Sequence, residues 1–209
     1  MSAKVYVLDH PLVDHWLTVL RDRHTPPERM RQATEILTPF LLYQALRDLP
    51  AETVEVETPL ERTQGRRITA RLGFAPILRA GLGMVPAALR VFPQASVWYF
   101  GFYRDEETLK PVEYYDPIQG RPCHLDVAVV LDPMLATGGS AAAAVSRLKE
   151  WGVPQVHFVG LIAAPEGVAF LHREHPDVSI VVAALDRQLN DRGYILPGLG
   201  DAGDRLFGT

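Results

Sequence analysis

Cysteine is nearly missing from this sequence: Cys123 stands alone among 209 residues, so no internal disulfide can form. Positive charge is not in excess, since 21 lysines and arginines face 25 aspartates and glutamates for a formal net charge of −4. That balance excludes an overall field that recruits nucleic acid or anionic membrane, and it makes any anion site a local one. Long apolar runs are also absent. The strongest, Val127 to Leu131 and Val156 to Ala164, fall far short of the ~20 residues that span a bilayer. Lys4, Asp9 and His10 break up the stretch where a secretory signal needs continuous apolar residues, so a cytoplasmic location is expected. There is no Gly-x-x-x-x-Gly-Lys-Ser/Thr, which removes support for a P-loop kinase or ATPase. Internal repeats and low-complexity tracts are missing as well.

What is present is the composition of a soluble globular chain, 47% hydrophobic and 22% charged, long enough to bury one full core as a single domain over 1–209. The first fifty residues read as helical. Val13 to Leu20 is amphipathic, and Thr25-Pro-Pro-Glu28 has the form of a helix start with a capping hydroxyl. Met30, Ala33, Leu37 and Leu41 then form a helical stripe, which Pro39 is expected to bend or interrupt for want of a backbone donor. After Pro50 the pattern turns to short β-rich runs: Thr53 to Glu57, Leu72 to Leu78, Ser96 to Phe100, Val127 to Leu131, Val156 to Ile162 and Val178 to Ala183. Val127 to Leu131, a helix over Ser140 to Trp151 and Val156 to Ile162 make a βαβ unit, and their unbroken apolar strands predict a parallel sheet covered on both faces. Two stretches read as irregular, Arg104 to Leu125 and the tail from Asp186.

Directly after the Val127 to Leu131 strand comes Asp132-Pro133-Met134-Leu135-Ala136-Thr137-Gly138-Gly139-Ser140, leading into an alanine-rich helix. A strand end, a small-residue turn and a helix start form a phosphate site, because unpaired N–H groups and the positive end of the helix dipole converge there. Gly138 and Gly139 open the backbone to an anion, and the hydroxyls of Thr137 and Ser140 add donors. Asp132 disfavours that phosphate, and its partner is a neutral polyol such as ribose hydroxyls, or a metal linked to one. The alternative is an ordinary βα turn.

A second glycine turn, Pro76-Ile-Leu-Arg79-Ala-Gly81-Leu-Gly83-Met84, follows another strand. Arg79 offers a fork of donors suited to pyrophosphate, and Arg104 follows the next apolar strand, so the two arginines suggest one anionic rim. The tail contains Gly198-Leu199-Gly200-Asp201-Ala202-Gly203, a literal Gly-x-Gly-x-x-Gly, but only Asp204 to Thr209 follow in the sequence. That leaves no room for the crossover helix of a dinucleotide fingerprint. Gly198, Gly200 and Gly203 leave backbone N–H and C=O groups uncovered by side chains. Tyr194, Ile195, Leu196, Leu199, Leu206 and Phe207 supply apolar anchors that argue against a frayed end.

These segments, with Tyr103-Arg-Asp-Glu-Glu-Thr-Leu109, Ala164-Pro-Glu-Gly167 and Tyr194 to Thr209, resemble the uracil phosphoribosyltransferases of the type I phosphoribosyltransferase fold. The resemblance implies an α/β domain with a mostly parallel central sheet flanked by helices, a helical N-terminal segment and a C-terminal hood over the base. It implies transfer of the 5-phosphoribosyl group of 5-phosphoribosyl 1-pyrophosphate (PRPP) to uracil, giving UMP and pyrophosphate. PRPP would lie on Arg79, Arg104, the loop from Asp132 to Ser140 and Asp201. Uracil would lie on Ile195, Gly200, Asp201 and Ala202. Catalysis would rest on Arg79, Arg104, Asp132 and Asp201, with Mg2+ carried mainly by PRPP because Asp132-Pro133 stands where most relatives of the wider fold have two acids. A homo-oligomer and, in many members, activation by GTP are implied too. Val85-Pro86-Ala87 departs from the family pattern after the Arg79 turn.

Other residues are read as structural. His172 and His175, three apart on a short helix over Glu166 to His175, lack a clear third ligand and read as a solvated helix end. Cys123 beside His124 reads as a plain thiol, and Glu106-Glu107 as part of a solvated flap able to close over PRPP. The alternative function is an RNA-binding pyrimidine regulator on the same fold, which would need a clustered basic face.

Overall fold

The computed structural model of the chain describes residues 4–104, 111–115 and 123–209. In chain order the elements are β1 (Val5–Val7), α1 (Pro11–Arg21), α2 (Pro27–Ala45), β2 (Ala51–Glu57), β3 (Arg62–Ile68) and β4 (Leu72–Pro76). A 3-10 turn (Ala80–Met84) leads into α3 (Val85–Val91), followed by β5 (Ser96–Val97), β6 (Gly101–Arg104), β7 (Pro111–Tyr115), β8 (Val127–Leu131) and β9 (Met134–Leu135). The rest comprises α4 (Gly139–Glu150), β10 (Gln155–Ala163), α5 (Pro165–Glu174), β11 (Ser179–Leu185), β12 (Gln188–Leu189), β13 (Ile195–Leu196) and α6 (Ala202–Phe207).

The central sheet runs β1-β11-β10-β8-β4-β5 with every pairing parallel, and β9 adds to the end of β10. Its middle strands β4 and β8 are apolar throughout, and β10 is apolar from Phe158 to Ala163, because both faces are covered. Within β8, Val127, Val129 and Leu131 point into a core shared with α1, α2 and α3, while Ala128 and Val130 point into a second core shared with α4 and α5. Neighbouring strands β4 and β8 therefore send their following helices to opposite faces. That divergence opens a crevice at their C-terminal ends, the place where ligands of open α/β sheets bind.

The expected stripe of α2 is buried at Met30, Ala33, Leu37 and Leu41, and α1 packs beside it through Val13, Leu17 and Leu20. Several expectations need correction. Pro39 does not interrupt α2, which runs through it, because buried Leu37, Leu41 and Leu42 hold the helix on either side and outweigh one missing backbone bond. Thr25 does not cap that helix: its hydroxyl donates to the Val19 carbonyl at 2.6 Å, and Pro26 occupies the cap position without a side-chain bond. The N-terminal fifty residues are not all helical, since β1 pairs with β11 at the sheet edge. Arg104 to Leu125 is not wholly irregular, because β7 returns antiparallel along β6. The hairpin partner of β2, the polar strand β3, has no apolar alternation to reveal it. Asp105 to Leu109, with Glu106 and Glu107, lie outside the described residues.

Among the described residues no helix is long and apolar enough to cross a membrane. His175 is buried, not solvated, and its Nε2 lies 3.0 Å from both Ser146 Oγ and the Ala142 carbonyl; His172 Nε2 lies 3.2 Å from the Val178 carbonyl. Cys123 is half-buried with a free thiol.

Candidate active site

A cleft of about 240 Å³ opens at the C-terminal ends of β4 and β8, lined by residues 77–80, Asp132, Met134, Ser140, Asp201 and Gly203. Three segments remote in sequence thus bring Arg79, Asp132, Ser140 and Asp201 to one place. Larger cavities of about 800 and 560 Å³ lie elsewhere, around Arg66, Arg67 and Arg71 and around Tyr43 and Ile68. They contain none of these groups. Convergent polar groups, not volume, single out the small cleft.

The phosphate loop is held from behind. The Pro133 carbonyl accepts from the N–H groups of Leu161 and Ile162, and the Leu135 carbonyl from that of Ala164, so Pro133 and Leu135 are buried and fixed to β10. Gly138 sits at φ +82° as the residue before α4, a conformation that favours glycine, and no side chain caps the helix start. Its N-terminal amides remain open, as the phosphate reading requires. Gly167, in the first turns of α5, packs so closely that an added Cβ would meet the Ala136 carbonyl and lie 2.6 Å from that of Leu135. The Ala164 to Gly167 segment therefore acts as a backstop to the loop.

Asp132 ends β8 half-buried, with its Oδ1 accepting the Met134 N–H at 3.4 Å. Burial pushes its carboxyl up to about 7, against a smaller lowering by that backbone donor. Burial of this kind at a cleft wall disfavours the charged carboxylate, and a nearby positive charge would favour it. Arg79 follows a cis peptide after Leu78, its side chain is 60% exposed, and Nη2 donates to Asp204 Oδ1 at 3.1 Å. Gly81 in the same turn presses on the Leu131 carbonyl, locking the Arg79 loop to the end of β8. Arg104 closes β6 opposite Pro111, and the placement of its side chain lies outside the described part of the structure.

The tail forms a built hood. Asp201 caps α6, its Oδ1 accepting the Asp204 N–H at 2.9 Å. Gly200 has φ +81° and faces solvent, whereas Ile195 and Ala202 are buried in the core, and neither lines the cleft. Tyr194 and Phe207 are exposed and do not anchor the tail; Ile195, Leu199 and Leu206 do. The remaining fixings are polar. Arg21 at the end of α1 donates to both oxygens of Asp186, at 2.9 and 2.5 Å, and to the Gly198 carbonyl at 2.8 Å, while the Gly198 N–H donates back to Asp186 at 2.9 Å. Arg31 donates to the Leu206 carbonyl, and Arg205 to those of Leu20, Asp22 and Leu199. Sequence reasoning missed Arg21, Arg31, Asp186 and Arg205, since the bonds that tie the hood to the N-terminal helices join positions more than 160 apart and leave no spacing to read.

Among the described residues no group of three His, Cys, Asp or Glu could hold a metal ion.

The family model described as uracil phosphoribosyltransferase matches residues 7–209. A Roseiflexus sp. (strain RS-1) protein named uracil phosphoribosyltransferase is 58% identical over 207 residues, covering 99% of each chain. One of the same name from Finegoldia magna is 52% identical over 208 residues, again with 99% of each covered. A solved structure of the AQ2163 protein from Aquifex aeolicus is 38% identical, covers 99% of each chain and superposes with a TM-score of 0.90. Adenine phosphoribosyltransferase from Leishmania donovani, 13% identical and covering 92% of this chain and 88% of its own, shares the fold with a TM-score of 0.61.

Proposed function

The chain belongs to the uracil phosphoribosyltransferase family, and from that premise we propose that it transfers the 5-phosphoribosyl group of PRPP to N1 of uracil, giving UMP and pyrophosphate. The observation that carries the reading is the convergence of Arg79, Asp132, Ser140 and Asp201 on one cleft beside an uncapped helix start. The terminal phosphate of PRPP sits on the amides of Ala136 to Ser140, where the dipole of α4 favours an anion. Asp132 holds the ribose hydroxyls. Arg79 and Arg104 take the pyrophosphate; of the residues that the resemblance assigns to uracil, Ile195, Gly200, Asp201 and Ala202, Asp201 lines the cleft, so the base lies at the hood beside Asp201.

In the reaction the C1–O bond to pyrophosphate breaks with its electron pair ahead of full C1–N1 bond formation, building positive charge on the sugar. The two arginines stabilise the leaving anion, N1 of uracil closes on C1, and the N1 proton passes to the departing pyrophosphate or to solvent. Mg2+ bound with PRPP supplies charge neutralisation at the pyrophosphate. No covalent intermediate with the protein is needed. Holding both substrates in line and out of water supplies as much as ~7–11 kcal/mol, so Asp201 serves as an organiser at their junction and not as a strong base.

Family membership also supports a homo-oligomer and activation by GTP as parts of this proposal; sedimentation of the purified chain and rates with and without GTP test them. The RNA-binding alternative draws no support from the relatives above. The reaction is tested by adding uracil to enzyme, PRPP and Mg2+. Pyrophosphate release that depends on uracil, with UMP formed in equal amount, is expected. Release without uracil, or none, overturns the assignment.

A further inference from the structure

Asp204 belongs to none of the ligand sets assigned above, yet it touches the residue on which pyrophosphate binding turns. Its Oδ1 accepts from Arg79 Nη2 at 3.1 Å and from Thr209 Oγ1 at 3.1 Å. Its backbone is equally fixed, with the N–H donated to Asp201 Oδ1 and the carbonyl accepting from Gly208 at 2.7 Å and Thr209 at 3.2 Å. Asp204 does not line the cleft, although Arg79 and Asp201 on either side of it do. The carboxylate therefore meets the guanidinium outside the cleft lining. It takes one N–H of a planar fork and leaves the others for a ligand.

From this geometry we infer that Asp204 is a positioning residue for PRPP, which orients Arg79 toward the pyrophosphate and ties that orientation to the short helix capped by Asp201. The inference rests on the reading of Arg79 as a pyrophosphate ligand. An arginine 60% exposed on a long stem samples many rotamers, and ordering it must otherwise be met when PRPP binds. One charged partner held by four other hydrogen bonds removes part of that cost in advance. The repulsion Asp204 exerts on an incoming anion is small, because its side chain is 48% exposed and screened by water and salt.

The test is Asp204→Asn in the full chain, with initial rates measured against each substrate. The Asn side chain can still accept from Thr209, and an exposed pair of this kind has an effect of at most about fivefold. The KM for PRPP should rise roughly three- to fivefold while kcat and the KM for uracil stay within twofold. A merely structural role in the hood would raise the uracil KM at least as much, since the hood holds the base. An equal rise in both, or an unchanged or lowered PRPP KM, overturns the inference. Asp204→Ser, compatible with a first helical turn, gives the same split should the Asn variant misfold. Failure of the underlying reading is seen separately, as absence of uracil-dependent pyrophosphate release by the unsubstituted enzyme.

Discussion

At the scale of single residues the site is set by two opposite charges with different degrees of freedom. Arg79 is exposed and steered by its partner; replacing it with alanine removes a charge-stabilising donor, and kcat/KM for PRPP should fall by roughly 10²–10³. Near-normal kinetics of Arg79→Ala would remove it from the pyrophosphate site. Asp132 is instead immobilised at a strand end, with burial raising its carboxyl to about 7. If the ionised form holds ribose and cation, kcat/KM for PRPP falls as pH drops through about 7, and Asp132→Asn flattens that limb while lowering activity. Stability runs the other way. An unfolded aspartate ionises near 3.8 and the folded one near 7, so the folded state keeps a proton that the unfolded state has lost. Stability from this group is complete below about pH 4 and disappears as pH rises through 7. Ligand-free Asp132→Asn should therefore melt higher than the unsubstituted protein at pH 8, with little difference at pH 4 by calorimetry. The Asp132 to Ser140 motif was legible because strand, carboxylate, glycines and helix are consecutive. The pairing of Arg79 with Asp204, 125 positions away, was not.

At the scale of elements, the loop geometry depends on what stands behind it. Gly167 in α5 fits against the carbonyls of Leu135 and Ala136 with no space for a methyl group. Gly167→Ala should cost about 1–3 kcal/mol through overpacking and lower Tm by several degrees. Because the displaced group is the phosphate loop itself, the KM for PRPP should rise more than that for uracil. Unchanged melting and kinetics would show that α5 yields easily. Helix and strand identities were readable where burial is periodic or continuous, as in α1, α2, β8 and β10. They were hidden where tertiary contact overrides local chemistry: β1 is three residues long and owes its existence to the edge of β11, β3 has no apolar side chain before Ile68, and Pro39 sits inside a helix that its neighbours hold intact. Local signals also misled at Thr25, whose hydroxyl found Val19 in place of a helix start.

At the scale of the whole molecule, the hood proposed to hold the base is attached to the helices at the other end of the chain. Arg21 and Asp186 carry that attachment, with the Asp186 side chain 3% exposed. Arg21→Ala leaves the carboxylate buried with only the Gly198 N–H, at a cost of about 3 kcal/mol, and should raise the uracil KM at least tenfold with a smaller change for PRPP. A rise confined to PRPP would show that the hood keeps its place without this pair. The parallel sheet and its ligand edge were foreseeable from the order of apolar strands and glycine turns. The arginine fixings were not, because hydrogen bonds from guanidinium to distant carbonyls impose no pattern on either partner's neighbours. The fixings that cross from the hood to the N-terminal helices join positions 165 to 185 apart. On the ribosome, α1 and α2 emerge long before the loop that they clasp, so a nascent chain that has already folded its sheet and phosphate turn still has no grip on a nucleobase. On the proposed assignment, a polypeptide that stops short of the hood is expected to take up PRPP and yet form no UMP, which binding and turnover of a chain truncated after Leu185 would check.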